Sequence, residues 1–172
     1  MGSLVAWLQR RRVTLGFVAA AATIVLAQPT WGTWRAGLIV AALGAAFRVW
    51  AAGHLEKSRE VTRSGPYRWT RHPLYVGSGI LALGVVIASR SVIVAILVAI
   101  YIAATYTAAV RSEEAFLERM FGDTYAQYRQ SASAPMDRRF SLERAWRNRE
   151  YRALAGLAGG FGLLALKILL PI

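Results

Sequence analysis

Long apolar runs separated by short polar connections dominate this chain. They predict five helical segments, at about 13–28, 34–52, 74–88, 91–110 and 153–170. Several are shorter than the roughly 20 residues that an untilted membrane crossing needs, so we expect the third to be tilted or partial. The pattern therefore predicts an all-α integral membrane bundle of about five transmembrane helices that forms a single domain over residues 1–172.

The polar positions between the runs predict how the segments are connected. Only Ser89 and Arg90 separate the third segment from the fourth, which predicts a tight antiparallel hairpin. Residues 113–128 can continue the fourth segment as a polar helix, and residues 129–141 are typical of a loop. The hairpin returns Arg111 to the membrane face that carries His72.

Positive charge is concentrated in alternate connections. Three arginines precede the first segment, five Lys and Arg residues lie in 53–73, and nine lie in 111–152. The positive-inside rule places the N-terminus and both long loops in the cytoplasm and the C-terminus outside, as a multi-pass protein. We attribute the net charge of +12 to the membrane topology and to contact with anionic lipids of the bilayer. We do not interpret it as a sign of nucleic-acid binding.

Arginines followed by an alanine-rich run also give the first segment the look of a signal peptide. Trp31 and Trp34, which follow it, are typical of interfacial anchors, and no clear small-residue cleavage site is present. The sequence favours a first transmembrane helix.

Composition restricts the chemistry. The chain has no cysteine, which excludes disulfides, thiolate zinc sites and a cysteine nucleophile. With two histidines we expect no metal site, although ligation by His and Glu stays open. Small residues on the second and last segments suit close helix packing, and monomer and homodimer both remain open.

Ionisable side chains at the predicted cytoplasmic mouths of the segments carry the strongest functional signal. His72 precedes Pro73, which suits the first turn of a helix, where free N–H groups favour anionic ligand groups. Arg111 and Glu114 share one face of a helix, with Glu113 beside them. By itself the Arg111–Glu114 pair reads as a surface ion pair, but the hairpin brings it back towards His72.

Other polar and aromatic residues have simpler interpretations. Tyr67, Trp69 and Tyr75 are compatible with interfacial aromatics, and Trp69 fits that role best. We interpret His54 as a hydrogen-bonded interfacial histidine. Snorkelling and ligand contact explain Arg48 about equally well.

The spacing G-P-Y-x-x-x-R-H-P-x-Y-x-G from Gly65, followed by R-x-E-E at Arg111 and F-G-x-x-Y-x-x-Y ending at Tyr128, resembles the isoprenylcysteine carboxyl methyltransferase family. More loosely, it resembles the membrane phospholipid N-methyltransferases. The likeness covers residues 65–128, and the flanking segments are similar only in character. After Tyr128 the chain departs from the short Arg-Val-Pro that we expect of the prenylcysteine enzymes, which leaves the acceptor open.

The resemblance implies an integral membrane enzyme that binds S-adenosylmethionine at the cytoplasmic end of its bundle. It would methylate a membrane lipid or prenylated acceptor on a carboxylate, amine, thiol or phenolic hydroxyl. The residues that the resemblance assigns to the cofactor pocket are Arg71, His72, Pro73, Tyr75, Gly77, Gly79, Glu113 and Glu114.

We predict Arg111 and Glu114 as catalytic residues, with Arg111 orienting an anionic acceptor or the carboxylate of the cofactor. His72 is expected to bind the cofactor, and a role as a base stays open as the second interpretation. Two alternatives stay open: an NADPH-dependent membrane lipid reductase, which the paired glutamates argue against, and a non-enzymatic scaffold protein, which leaves the clustered charges unexplained.

Overall fold

The computed structural model describes the backbone of residues 3–130 and 136–170 and, within these ranges, the side chains of residue 11 and of residues 14 onward. This part of the chain contains helices and no strand, which confirms the all-α prediction. The elements are α1 (Ser3–Leu26), α2 (Trp31–Ala52), a short 3₁₀ helix (Gly65–Arg68), α3 (Pro73–Ser89), α4 (Val92–Arg129), α5 (Leu142–Arg147) and α6 (Tyr151–Leu169).

Three of these helices, α2, α4 and α6, are long and apolar enough to cross a membrane. The protein is therefore an integral membrane protein. The apolar part of α1, Thr14–Leu26, and α3 are shorter, in line with the expectation that the third segment is tilted or partial. That these two also cross, and which end faces the cytoplasm, stay predictions.

Helix ends differ from the predicted segments for local reasons. Helix α2 begins three residues earlier because Thr30 and Thr33 form a capping box, in which each backbone N–H donates to the other hydroxyl. Helix α1 ends before Pro29, which disfavours helical geometry at the preceding residue. The polar continuation of α4 forms as predicted. Residues 131–135 of the predicted loop lie outside the described residues, and 136–141 contain no helix.

Small residues bring α2 and α3 into close antiparallel contact. A Cβ atom added at Gly84 would overlap the backbone of Ala41, and one added at Gly44 would overlap the backbone of Leu81. In a membrane such contact replaces the hydrophobic driving force that is missing between apolar helices. The glycines of these two helices therefore fix the distance between them.

The last helix closes the end of the bundle opposite the long loops. The indole N–H of Trp34 donates to the carbonyl of Phe161 at 2.9 Å. The Lys167 ammonium donates to the carbonyls of Ile24 and Val25, at 2.9 and 2.7 Å, where α1 ends. A cation that bonds the last carbonyls of a helix matches the negative end of its dipole.

At the other end, the segment 136–150 lies against the loop 53–72. Glu56 accepts hydrogen bonds from Arg144 at 2.9 Å and from Arg147 at 3.1 Å. The amide of Asn148 donates to the carbonyls of Ala52 and Leu55, both at 2.9 Å. These bonds hold both connections over the mouths of α2 and α3.

The α2–α3 contact predicts opposite effects for two glycines of one helix. Gly84→Ala must push apart two backbones, which we expect to cost about 1–3 kcal/mol of unfolding free energy. Gly79 has no neighbouring atom within 4 Å of an added Cβ, so Gly79→Ala should stabilise by about 0.5–1 kcal/mol through helix propensity. Unfolding in detergent micelles measures both, and shifts of the same sign would contradict the packing described.

Candidate functional site

A cavity of about 790 Å³ opens at the loop-bearing end of the bundle. The start of α3 and the 3₁₀ helix form one wall, the middle of α4 forms the opposite wall, and the loop 53–72 and the residues preceding α6 complete it. The volume lies in the range of small-molecule sites. The polar residues that surround the cavity include Arg48, Tyr67, Arg71, His72, Tyr75, Glu113, Tyr128, Asn148 and Glu150.

His72 lies where the two walls meet. It is the N-terminal cap residue of α3, and Pro73 occupies the first turn, where its missing N–H costs nothing. Its Nε2 atom lies 3.2 Å from Oε1 of Glu114. Its Nδ1 atom is buried without a hydrogen-bond partner and lies 3.9 Å from Oε2 of Glu113. A buried, unpartnered nitrogen beside a cavity is a group that a ligand can satisfy.

The two adjacent glutamates have different surroundings. Glu114 is also 3.1 Å from a guanidinium nitrogen of Arg71, so its charge is compensated by the protein. Glu113 lines the cavity, and its nearest ion-pair partner among the described residues is His72. Glu113 is therefore the carboxylate that is available to a cationic ligand group.

A second ion pair lies deeper in the cavity wall. Arg48 of α2 forms a bidentate pair with Glu150, with N–O distances of 3.0 and 2.8 Å. The same guanidinium donates to the carbonyl of Leu74 at 3.2 Å and to the hydroxyl of Ser78. The side chains are 21% and 7% exposed. One guanidinium thus connects α2, the beginning of α3 and the cap residue that precedes α6.

A hydrogen bond between Tyr67 and Tyr128 joins two walls of the cavity. The Tyr128 hydroxyl donates to the carbonyl of Tyr67 at 2.7 Å, and burial raises the pKa of Tyr128 to about 12. Burial, with a contribution from the Glu113 charge, raises the pKa of Tyr67 far above its usual range. Both phenols therefore stay neutral at physiological pH, and the Tyr128 hydroxyl serves as a hydrogen-bond donor.

The kink of α4 explains how Tyr128 reaches the 3₁₀ helix. Gly122 has φ 45° and ψ −119°, a left-handed conformation that favours glycine. The turn that follows buries Tyr125 completely. The spacing F-G-x-x-Y-x-x-Y is thus a structural motif, in which the glycine redirects the helix and the tyrosines anchor it.

The structure brings most of the predicted site residues together. Arg71, His72, Pro73, Tyr75 and Glu113 line the cavity, and Glu114 contacts His72 and Arg71 from behind.

Three other predicted residues lie elsewhere. Gly77 faces α2, where an added Cβ would overlap the Arg48 side chain, and Gly79 faces open space. Arg111 is exposed on α4 and is not among the residues that line the cavity. Helix geometry explains the positions of Gly77 and Arg111, because positions two residues apart, such as Tyr75 and Gly77 or Arg111 and Glu113, point to nearly opposite sides.

Sequence reasoning missed the contribution of the residues before α6. Glu150 and Asn148 line the cavity. In the sequence, the sign of this was the acidic residue Glu150 just before the last apolar segment, with the basic residue Arg48 inside the second segment as a possible partner. Arg48 does not extend its charge into water, as a snorkelling arginine would. It lies in the cavity wall and pairs with Glu150.

His54 has the environment expected of it. It is buried, and Nδ1 lies 3.1 Å from the Ser64 hydroxyl. Burial, with the charges of Arg144, Arg138 and Arg68, lowers its pKa. Trp69 is largely exposed, as an interfacial aromatic would be. No cluster of three or more potential metal ligands occurs among the residues that the structure describes.

Fold and site together define an integral membrane protein with a polar cavity at the mouth of a helical bundle. The model of the phospholipid methyltransferase family matches residues 15–124. The chain belongs to this family of membrane methyltransferases. No solved structure matches the chain significantly.

Three curated relatives are similar over parts of their length. The cobalt-zinc-cadmium resistance protein CzcN of Cupriavidus metallidurans is 34% identical over 68% of this chain and 57% of its own length. The nickel-cobalt-cadmium resistance protein NccN of Alcaligenes xylosoxydans xylosoxydans is 38% identical over 53% and 43%. The protein-S-isoprenylcysteine O-methyltransferase of Schizosaccharomyces pombe is 33% identical over 50% and 36%. The matched regions thus span about a third to just over half of these relatives.

The Arg48–Glu150 pair yields a stability prediction. Glu150→Gln leaves a mostly buried guanidinium without its counter-charge, and we expect a loss of about 2 kcal/mol, below the cost for a fully buried pair because Arg48 is partly exposed. The matched control is Glu118→Gln, which breaks the exposed Glu118–Arg129 pair and should cost at most about 0.5 kcal/mol. Unfolding in detergent compares them, and equal losses would show that the wall does not depend on this pair.

Proposed function

We propose that this protein is an S-adenosylmethionine-dependent methyltransferase that modifies a lipidic or prenylated acceptor at the cytoplasmic membrane face. The observation that carries the proposal is the arrangement of Glu113 and His72 around one cavity. Glu113 has no Lys or Arg partner among the residues that the structure describes, and the buried Nδ1 atom of His72 has no hydrogen-bond partner. Membership of a methyltransferase family supports the choice of methyl donor.

The polar groups of the cavity fit those of S-adenosylmethionine. Glu113 suits the α-ammonium group, for which a charge-assisted hydrogen bond is favourable. Arg71 and the free nitrogen of His72 suit the carboxylate or a ring nitrogen of the adenine. Tyr75 lies between His72 and Tyr106, with ring centroids 5.9 and 5.1 Å away, and offers an aromatic surface to the sulfonium or the adenine. Glu114 acts indirectly by holding His72 and Arg71 in place.

When bound, S-adenosylmethionine supplies an activated methyl group, which an acceptor nucleophile takes by in-line displacement with cleavage of the methyl–sulfur bond. The protein residues contribute position and exclusion of water. A carboxylate or thiolate acceptor needs no base, whereas an amine or phenol must lose a proton. Because Arg111 lies outside the cavity, Arg71 takes over the proposed role of orienting an anionic group.

A second hollow suggests where the acceptor chain lies. It has a volume of about 460 Å³ and is formed between α1 and α4 by Gly16, Phe17, Ala20, Tyr75, Tyr101, Thr105, Tyr106 and Ala109. It shares Tyr75, Thr105 and Ala109 with the cavity. An apolar chain that occupied this hollow from the bilayer would place its head group beside Glu113 and His72.

Titration of the detergent-purified protein by calorimetry tests the cofactor. We expect heat and saturation with S-adenosylmethionine and none with NADPH. Glu113→Gln should weaken binding roughly 10- to 100-fold, the range for a hydrogen bond between charged groups, and His72→Ala should also weaken it. Glu118→Gln, which removes an exposed carboxylate of the same helix, is the control and should leave binding unchanged. Absence of heat with S-adenosylmethionine at millimolar concentration would refute the proposal.

Blocking the second hollow tests the acceptor route. Ala20→Trp should raise the apparent KM for the acceptor at least tenfold while leaving S-adenosylmethionine binding unchanged. Val18→Trp is the control, because Val18 is exposed on α1 and does not line the hollow. The acceptor itself is identified by incubating the protein with methyl-labelled cofactor and a lipid extract. Equal effects of both tryptophans on KM would contradict a route between α1 and α4.

A further inference from the structure

The surface formed by α5 and its two flanks carries exposed large apolar side chains outside the bundle. Leu142 and Trp146 are 66% and 65% exposed and, four residues apart, share one face of α5. Phe140 and Tyr151 are also exposed, and the rings of Trp146 and Tyr151 lie 4.9 Å apart. Ala145, between these two exposed residues in the chain, is buried against the protein. We call the exposed side the α5 face.

Hydrogen bonds place the α5 face at the level where two spans leave the membrane. The backbone N–H of Ser141 donates to the carbonyl of Gly53 at 3.1 Å, directly after the end of α2. The side chain of Asn148 binds the carbonyls of Ala52 and Leu55 at the same end. Helix α6, a candidate span, begins at Tyr151. The α5 face therefore lies beside the ends of two candidate spans, α2 and α6.

The charges at the α6 end of this face are positive. Arg149 and Arg152 are exposed at this end, and Arg139 is exposed on the other flank, before α5. None of the three forms an ion pair with a carboxylate among the residues that the structure describes. The Arg152 guanidinium lies 6.0 Å from the centre of the Tyr151 ring. The acidic residues of the surface, Asp137 and Glu143, precede the tryptophan in the chain. Arginines beside Trp146 and Tyr151 form the combination that suits a lipid surface with anionic headgroups.

We propose that the α5 face is an interfacial anchor that binds anionic phospholipids. Leu142, Trp146 and Tyr151 enter the headgroup region, and Arg149 and Arg152 bind lipid phosphates. The anchor is attached to the loop over the cavity through the pairs of Glu56 with Arg144 and Arg147. The proposal does not depend on the methyltransferase assignment, because it concerns how the polar end of the bundle lies on the bilayer.

Because the chain has no cysteine, single-cysteine labelling tests the depth of the face directly. Trp146→Cys and Leu142→Cys are spin-labelled in the full-length protein and reconstituted in vesicles of phosphatidylcholine with phosphatidylglycerol. We expect both labels to be accessible to oxygen and shielded from a water-soluble nickel relaxation agent. Asp123→Cys, on the exposed polar part of α4, is the control and should be accessible to nickel. Labels at 142 and 146 that are as accessible to nickel as the control would overturn the proposal.

Titration with the anionic lipid tests the arginines. A polarity-sensitive dye at Trp146→Cys should report the phosphatidylglycerol content at which half of the α5 face is bound. The double variant Arg149→Gln, Arg152→Gln should shift this midpoint about 25-fold, or roughly fivefold per arginine. Arg119→Gln with Arg129→Gln removes the same charge from α4 and should leave the midpoint unchanged. Equal shifts for the two pairs would refute a specific anchor. Shielding in native membranes but not in pure lipid vesicles would also refute it and indicate a protein partner.

Discussion

The guanidinium of Arg48 is the group on which the candidate site depends. A charge within a membrane-spanning helix is expensive unless its donors are satisfied, and Arg48 meets this requirement with three acceptor residues from two other parts of the chain. Glu150 neutralises it, and the carbonyl of Leu74 with the hydroxyl of Ser78 occupies its remaining side. The first turn of α3 and the beginning of α6 are thereby held at fixed positions relative to α2.

The glycines of α2 and α3 make this arrangement possible. An added Cβ at Gly77 would overlap the Cγ atom of Arg48, so the absence of a side chain there is what lets the arginine pass along α3. The sequence had suggested Gly77 as part of a cofactor wall. In the structure Gly77 does not line the cavity. It contacts Arg48, which in turn binds the first turn of α3, next to His72.

The helices and their connections could be predicted from the sequence, because the spacing of apolar residues and the residues that form turns depend on nearby positions in the chain. The hairpin of α3 and α4 and the polar continuation of α4 were accessible in this way, and so was the juxtaposition of His72 with Glu113 and Glu114. The Arg48–Glu150 pair was not, since it joins residues 102 positions apart and no periodicity specifies which span an isolated charge faces. The exposed position of Arg111 could not be predicted either, because a shared face with Glu114 does not determine whether the Arg111 side chain points into the cavity.

The adjacency of Glu113 and Glu114 has a geometric consequence for the chemistry. Neighbouring helical residues point about 100° apart, so when Glu114 meets Arg71 and His72, Glu113 must turn towards the cavity. One carboxylate then fixes the wall while the other keeps its charge for a ligand. If Glu113 were paired as Glu114 is, an incoming ammonium group would have to displace a protein cation, and most of the favourable interaction would be lost. The separation of these two roles makes the doublet more informative than either glutamate alone. It provides the carboxylate that the proposed cationic ligand would need in a protein whose net charge is +12.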